Sequence, residues 1–223
     1  MNHNPLYIDN DFLVMYKPSG LATVPLKNKC GGTFLDDVKQ SFPEVGSPFG
    51  KNPWEGGVIH RLDTPTSGLV LFARTQRGYD WIVNEQRSDR VVKKYLATLE
   101  SIRMIDEGFE PFPYSDVSLN GGVIKSYFRS FGPGAKSVRP VLNNKRLISG
   151  RLYTTEVVPR SSDCVECTLT RGFRHQVRCH MAWAGHPLKG DVLYGAASSD
   201  VFGLEAIEIS FNAVNGKRIT VSK

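Results

Sequence analysis

Asp63 is the residue of this chain best placed to do chemistry. It sits inside Val58-Ile-His-Arg-Leu-Asp-Thr-Pro-Thr-Ser-Gly-Leu-Val-Leu-Phe-Ala73, between two apolar runs that read as strands. A carboxylate against an apolar wall is costly unless it is paired or hydrogen-bonded. Arg61 lies two residues earlier, on the same side of an extended segment. Two readings are open from these residues alone: a structural Asp capping the Thr64–Ser67 turn, or an acid held in apolar surroundings for a functional reason.

A second constellation is Leu169-Thr-Arg-Gly-Phe-Arg-His-Gln-Val-Arg-Cys-His180. Arg171, Arg174, His175, Arg178 and His180 crowd a glycine turn and a helix start, a place that favours anions. His175 and His180 stand roughly 140° apart around a helix, which argues against a shared metal and leaves His175 to brace the turn. Arg174 and Arg178 share a face, where one could meet a phosphate or a carboxylate. Ala184-Gly-His-Pro-Leu-Lys-Gly-Asp-Val-Leu-Tyr-Gly195 alternates turn-formers with apolar residues and reads as a loop scaffold beneath the site.

The elements that must position these residues follow from hydrophobic period. Leu6–Tyr16 reads as a hairpin around Asp9-Asn10-Asp11. Thr33–Phe42 has helical spacing with Thr33 as N-cap. A glycine- and proline-rich loop spans Pro43–Gly57. Arg77–Arg87 reads as a helix with Tyr79, Ile82 and Val83 on one face. Val91–Leu99, Arg151–Val158 and Cys164–Thr170 read as strands. Ile102–Gly122 reads as an irregular insertion, and Lys125–Gly150 as a long basic loop. Arg174–Ala184 is expected as a helix with Val177, Met181 and Ala184 inward, ended by Gly185. Leu204–Phe211 and Arg218–Val221 close a hairpin across Asn215-Gly216. Many strands, few helices and no βαβ alternation predict an α+β fold around an antiparallel or mixed sheet.

Composition is ordinary for a globular chain: 223 residues, 40% hydrophobic and 22% charged, enough for one domain with a lobed core. No apolar run reaches the ~20 residues that span a bilayer, and the first residues lack a signal-peptide core, so a cytoplasmic location is expected. The balance of 28 Lys+Arg against 22 Asp+Glu gives +6. From Val117 to Thr155 there are seven basic residues (Lys125, Arg129, Lys136, Arg139, Lys145, Arg146, Arg151) and no acid. Such a block suits a polyphosphate or is a solvated face; interleaved Tyr127 and Phe131 fit nucleic acid. Cys164 and Cys167 have CxxC spacing, but in a strand they point to opposite faces and there is no second pair, so no metal site is expected.

Taken together, HRLDTPTSGLVLFA, VVKKYLATLE, RGFRHQVRCHMAWAGHPLKGDVLYG and the opening YKPSGLATVP resemble the RluA-type RNA pseudouridine synthases, in the family's motif order from about Asp9 to Lys223. The set is specific; each piece alone is weak. The resemblance implies a single catalytic domain over 1–223, a mixed, largely antiparallel central sheet flanked by helices and loops, and an RNA-binding cleft across the middle. It implies isomerisation of uridine in structured ribosomal or transfer RNA by base flipping and exchange of a C–N for a C–C glycosidic bond, without metal or other cofactor. Asp63 matches the catalytic aspartate, Tyr95 the tyrosine that stacks on the flipped uracil, and Arg178 the arginine that pairs with the aspartate. Arg61 matches the residue that fills the gap left by the flipped base. Arg171, Arg174 and His175, with Lys125 and Arg129 of the basic block, are expected at the RNA. Two motifs depart from the family pattern: Arg171-Gly172-Phe173-Arg174 stands where Thr-Gly-Arg is usual, and Leu204-Glu205-Ala206 where Leu-His-Ala is usual. No separate S4-type module is expected ahead of the core, and a monomer is the default. A catalytically idle RNA-binding module on the same fold is the alternative. A hydrolase using Ser67 or zinc is disfavoured, for want of a G-x-S-x-G elbow and of suitably spaced histidines.

Overall fold

The computed structural model describes residues 4–25, 32–47, 50, 52–100, 108–143 and 150–223. In chain order its principal elements are β1 (Tyr7–Ile8), β2 (Phe12–Lys17), α1 (Phe34–Ser41), β3 (Ser67–Ala73), α2 (Gln76–Arg87), β4 (Val92–Thr98), α3 (Val117–Asn120), β5 (Gly122–Phe131), β6 (Ser137–Val141), β7 (Tyr153–Ser161), β8 (Cys164–Leu169), α4 (Gln176–Trp183), β9 (Leu204–Asn212) and β10 (Arg218–Ser222). Pairing is largely antiparallel and the class is α+β, as the sequence pattern predicts. The chain forms two compact units: residues up to Lys93 with Glu205–Lys223, and Lys94–Leu204.

In the first unit β1, β2, β3, β9 and β10 lie side by side. Asp9 makes the β1–β2 turn, its Oδ1 accepting from the backbone N of Asp11 (2.8 Å) and Phe12 (2.7 Å). Phe12–Lys17 pairs antiparallel with Gly68–Ala73, and Ser67 and Gly68 pair parallel with Glu205 and Ala206. The core here is Phe12, Val14, Leu69, Leu71, Ile82, Ile209 and Phe211, with Phe12 and Phe211 packed edge to face at 5.1 Å. Thr33 caps α1 in a reciprocal box with Asp36, as its spacing predicts. Helix α2 differs in its inward face, which is Gly78, Ile82 and Glu85 rather than Tyr79, Ile82 and Val83. Gly78 permits the shift, since a Cβ there would come within 2.8 Å of the Asp11 carbonyl. Glu85 tolerates burial because Arg90 Nε (2.8 Å) and Asn212 Nδ2 (2.7 Å) donate to it.

In the second unit the strand order is β4, β8, β7, β5, β6. Up to Val141, the stretch read as a long basic loop is instead the β5–β6 hairpin, with Arg129 opposite Arg139. Ile124, Ser126 and Phe128 alternate inward while Lys125, Tyr127 and Arg129 alternate outward, a period of two hidden by the buried serine and the outward cations. Arg139 of the basic block is buried, its guanidinium held between the rings of Phe109 (4.3 Å) and Phe131 (4.1 Å). Lys145 and Arg146 lie outside the described residues. Cys164 and Cys167 take opposite faces of β8.

Helix α4 is buried over all eight residues, not on one face. Its polar members are satisfied. Gln176 Nε2 donates to Thr154 O (2.9 Å) and Thr155 Oγ1 (3.0 Å). His180 lies between Ser126 Oγ (Nε2, 2.9 Å) and Thr155 Oγ1 (Nδ1, 2.8 Å) and stacks on Phe128. Burial holds the His180 imidazole down at about 3, so it is neutral in the folded chain. Between pH 6.5 and 3 the unfolded chain therefore binds a proton that the folded chain refuses. From His180 alone, stability is expected to fall by about 1.4 kcal/mol between pH 7.5 and 5.5. Urea unfolding at the two pH values measures this; equal or higher stability at pH 5.5 contradicts it.

Candidate active site

The turn that carries Asp63 is fixed from several directions within the first unit. Thr66 N donates to Asp63 O (3.0 Å), closing the turn through the backbone. Leu62 is held in both senses by Thr23: its N donates to Thr23 Oγ1 (3.1 Å), and that hydroxyl donates to Leu62 O (2.7 Å). Gly20 N donates to Thr64 O (2.9 Å) and Ser19 Oγ to Pro65 O (2.6 Å). The segment Lys17–Thr23 thus works as a clamp on Leu62–Pro65. Asp63 itself is half-buried.

Lys17 is the centre of that clamp, and sequence reading missed it. At the end of an apolar strand and before a proline it looks like an exposed terminus. It is instead fully buried, with Nζ donating to Pro18 O (2.8 Å), Leu21 O (2.7 Å) and Thr64 O (3.3 Å). Burial pulls the Lys17 ammonium down to about 8, against the opposing attraction of the Asp63 charge. It is therefore still cationic at neutral pH and places a fixed positive charge beside the Asp63 turn. Replacing Lys17 by Met leaves buried carbonyls without their donor. We expect a loss of about 2 kcal/mol in unfolding free energy and a more than tenfold loss of activity, read by urea unfolding and by turnover on RNA.

His60 and Arg61 flank the turn differently. His60 Nε2 accepts from Leu71 N (3.3 Å), and burial, then the nearby Lys93 charge, hold the ring at about 3 and hence neutral. Arg61 is exposed and pairs with Glu55 Oε1 at 2.9 Å.

In the second unit β4 turns Tyr95 and Ala97 to its buried side. Lys94, on the other side, approaches Glu166 (3.8 Å). On α4 the Arg178 guanidinium makes a bidentate pair with Asp191, Nε–Oδ2 2.7 Å and Nη2–Oδ1 2.8 Å, both side chains buried. The rings of Tyr194 and Phe202 each lie 5.3 Å from its guanidinium carbon. Asp191 and Tyr194 belong to a motif that carries the family resemblance, but sequence reading took their loop for a scaffold and missed that they and Phe202 surround Arg178.

The helix start is a packed corner. His175 adopts a left-handed conformation (φ 59°) and its Nδ1 lies 3.1 Å from the Tyr194 hydroxyl, the bracing expected of it. Phe173 stacks on Phe128 (4.7 Å, 3°), so the departure Arg171-Gly172-Phe173 supplies an aromatic wall. Arg174 is exposed and donates to the carbonyls of Ala135 (2.6 Å) and Ser137 (3.2 Å). Arg171 and Arg129 are half-exposed, Arg129 donating to Gly108 O (2.8 Å), and Lys125 is exposed on β5. In the other departing motif, Glu205 is held by Tyr16 (2.6 Å) and by Lys223. Among the described residues no cluster of His, Cys, Asp and Glu is arranged to hold a metal ion.

Comparison with known proteins places this arrangement. The chain is 27% identical over 203 residues to the uncharacterized RNA pseudouridine synthase YlyB of Bacillus subtilis, covering 90% of this chain and 60% of that protein. It is 28% identical over 194 residues to ribosomal large subunit pseudouridine synthase D of Buchnera aphidicola subsp. Schizaphis graminum (86% and 54%), and 30% identical over 192 residues to its namesake in Neisseria meningitidis serogroup A (85% and 45%). The chain thus spans about half to three fifths of the length of these relatives. Among solved structures, human RNA pseudouridylate synthase domain containing 1 shares the fold, with a TM-score of 0.71 at 18% identity over all of this chain and 83% of that one. The sequence profile described as RNA pseudouridylate synthase matches residues 11–183, a single stretch holding the Lys17 clamp, the Asp63 turn, β4 and α4. The chain belongs to the RNA pseudouridylate synthase family.

Proposed function

We propose that the chain is an RNA pseudouridine synthase, an isomerase that converts uridine in structured RNA to pseudouridine. One observation carries the reading: a half-buried carboxylate, Asp63, on a turn immobilised by Lys17, Gly20 and Thr23. Fixing a reactive group before substrate arrives is what lets a side chain act on one atom of a large ligand. The reaction breaks C1′–N1, turns the uracil and forms C1′–C5; C5 loses a proton, N1 gains one, and there is no net redox change. Asp63 serves as the carboxylate that acts on the nucleotide. Tyr95 stacks on the flipped uracil, and Arg178 supplies the counter-charge to the carboxylate. Arg61 fills the space vacated by the base, offsetting part of the few kcal/mol that flipping requires.

Arg171, Arg174, His175, Lys125 and Arg129 contribute to RNA binding in this reading. The names of the ribosomal large subunit relatives favour ribosomal RNA of the large subunit over transfer RNA. We place the enzyme in the cytoplasm, acting as a monomeric catalytic domain; no described helix is long and apolar enough to cross a membrane. Tritium release from RNA carrying 5-tritiated uridine tests the activity: the purified chain should release label from a ribosomal transcript. Tight RNA binding with no release would instead identify a catalytically idle module.

A further inference from the structure

We propose that the loop Lys189–Gly203 forms a base-contact site, in which Val192 and Leu193 pack against the nucleotides flanking the modified uridine. This rests on the reading of Arg178 as an active-site residue. The loop is closed at its neck by Gly203 N to Lys189 O (2.8 Å) and by two bonds to Thr98, Lys189 N to Thr98 O and Thr98 N to Gly203 O (both 2.9 Å). Gly190, at φ +75°, lets the two limbs meet, since a Cβ there would fall 2.6 Å from Val201 O. The inner face of the loop supplies the cage of Arg178 described above.

Its outer face is apolar. Asp191 and Tyr194 are almost wholly buried, and the single helical turn between them presents Val192 at 62% and Leu193 at 39% exposure. Val201, on the returning limb, is 61% exposed. Asp191 is locked by Arg178, and the Tyr194 hydroxyl by Val138 N (3.1 Å) and His175. The two aliphatic side chains are therefore held on a rigid backbone, and little ordering entropy opposes contact with a ligand. Each is a chain neighbour of a residue that touches Arg178, so at 3.8 Å per residue, with the length of the intervening side chain added, both Cα atoms stand within about 15 Å of its guanidinium.

Flipping a base leaves its neighbours partly unstacked, with apolar faces open to contact. Such contacts suit any base, because every base has a π-face. A patch of two or three aliphatic side chains is too small for a stable protein partner, which needs about 800 Å² from each side. Exposed Lys189 at the neck adds a cation for an adjacent phosphate.

The test uses the full chain, an unmodified large-subunit ribosomal RNA transcript, a transfer RNA transcript pool and filter binding across a salt series. Replacing both residues, Val192→Ser with Leu193→Ser, should weaken binding of whichever RNA the chain holds by five- to tenfold at every salt concentration. The slope of log K against log salt should not change, because no phosphate contact is lost. Val192→Ile with Leu193→Met should restore the affinity. Leu6→Ser with Ile8→Ser, which removes comparable exposed apolar surface at β1 and the residue before it, should not alter it. Unchanged affinity in the loop variant, equal weakening by the β1 variant, or failure of the chain to bind either RNA overturns the proposal. Should the chain bind RNA yet form no pseudouridine, the catalytic reading fails while the affinity comparison still decides the role of the loop.

Discussion

Replacing Asp191 by Ala is expected to lower the unfolding free energy by about 3–5 kcal/mol and to abolish pseudouridine formation. The magnitude follows from burial: both side chains of the Arg178–Asp191 pair are almost fully withdrawn from water, so removal of the acid takes a bidentate partner from a buried guanidinium. A double replacement separates structure from function. Arg178→Met with Asp191→Leu removes both charges and keeps an apolar volume, which is often neutral or stabilising for a buried pair. It should recover most of the stability lost in the single variant and none of the activity. A single variant within 1 kcal/mol of the parent, or a double variant that regains turnover, contradicts this account of Asp191 as the residue that positions Arg178.

The second large effect is expected at Gly68. This residue lies at φ +122°, where side chains other than hydrogen are strained, and opposite Ala206 in the parallel pairing of β3 with β9. A Cβ at Gly68 would lie 2.7 Å from the Ala206 Cα and closer still to that residue's backbone N and O. The obstacle is backbone, so no rotamer change relieves it. Gly68→Ala should lose more than about 3 kcal/mol, or fail to accumulate as soluble protein, in the range of the largest single-residue effects. Adding Ala206→Gly should not rescue it, because the clash is not with the Ala206 side chain. Rescue by that change, or near-parental stability of Gly68→Ala, would show that the strands can part at no great cost.

Much of the fold was legible because period and turn chemistry agree. The Asp9 turn, the Thr33 cap, the strands β4, β7 and β8, and the closing hairpin at Asn215-Gly216 all obey local rules. Where they fail, a buried polar residue breaks the pattern. Ser126 interrupts the inward row of β5 and disguised a hairpin as a loop. Gln176, Arg178 and His180 made α4 look one-sided, whereas long-range partners satisfy each of them. The site was legible in its motifs but not in its supports. Asp63, Tyr95 and Arg178 were assigned roles from short signatures, while Lys17 and Asp191, though they stand in quoted motifs, read as a strand end and a loop. Their roles depend on contacts across 47 and 13 residues of chain, which no local window contains.

The central claim is that Asp63 performs the chemistry, and Asp63→Asn tests it most directly. The change preserves size and the backbone bonds that hold the turn. Tritium release from a 5-tritiated ribosomal transcript should fall to background while the unfolding midpoint and the affinity for RNA stay near those of the parent chain. Release at a substantial fraction of the parental rate would contradict the assignment of Asp63.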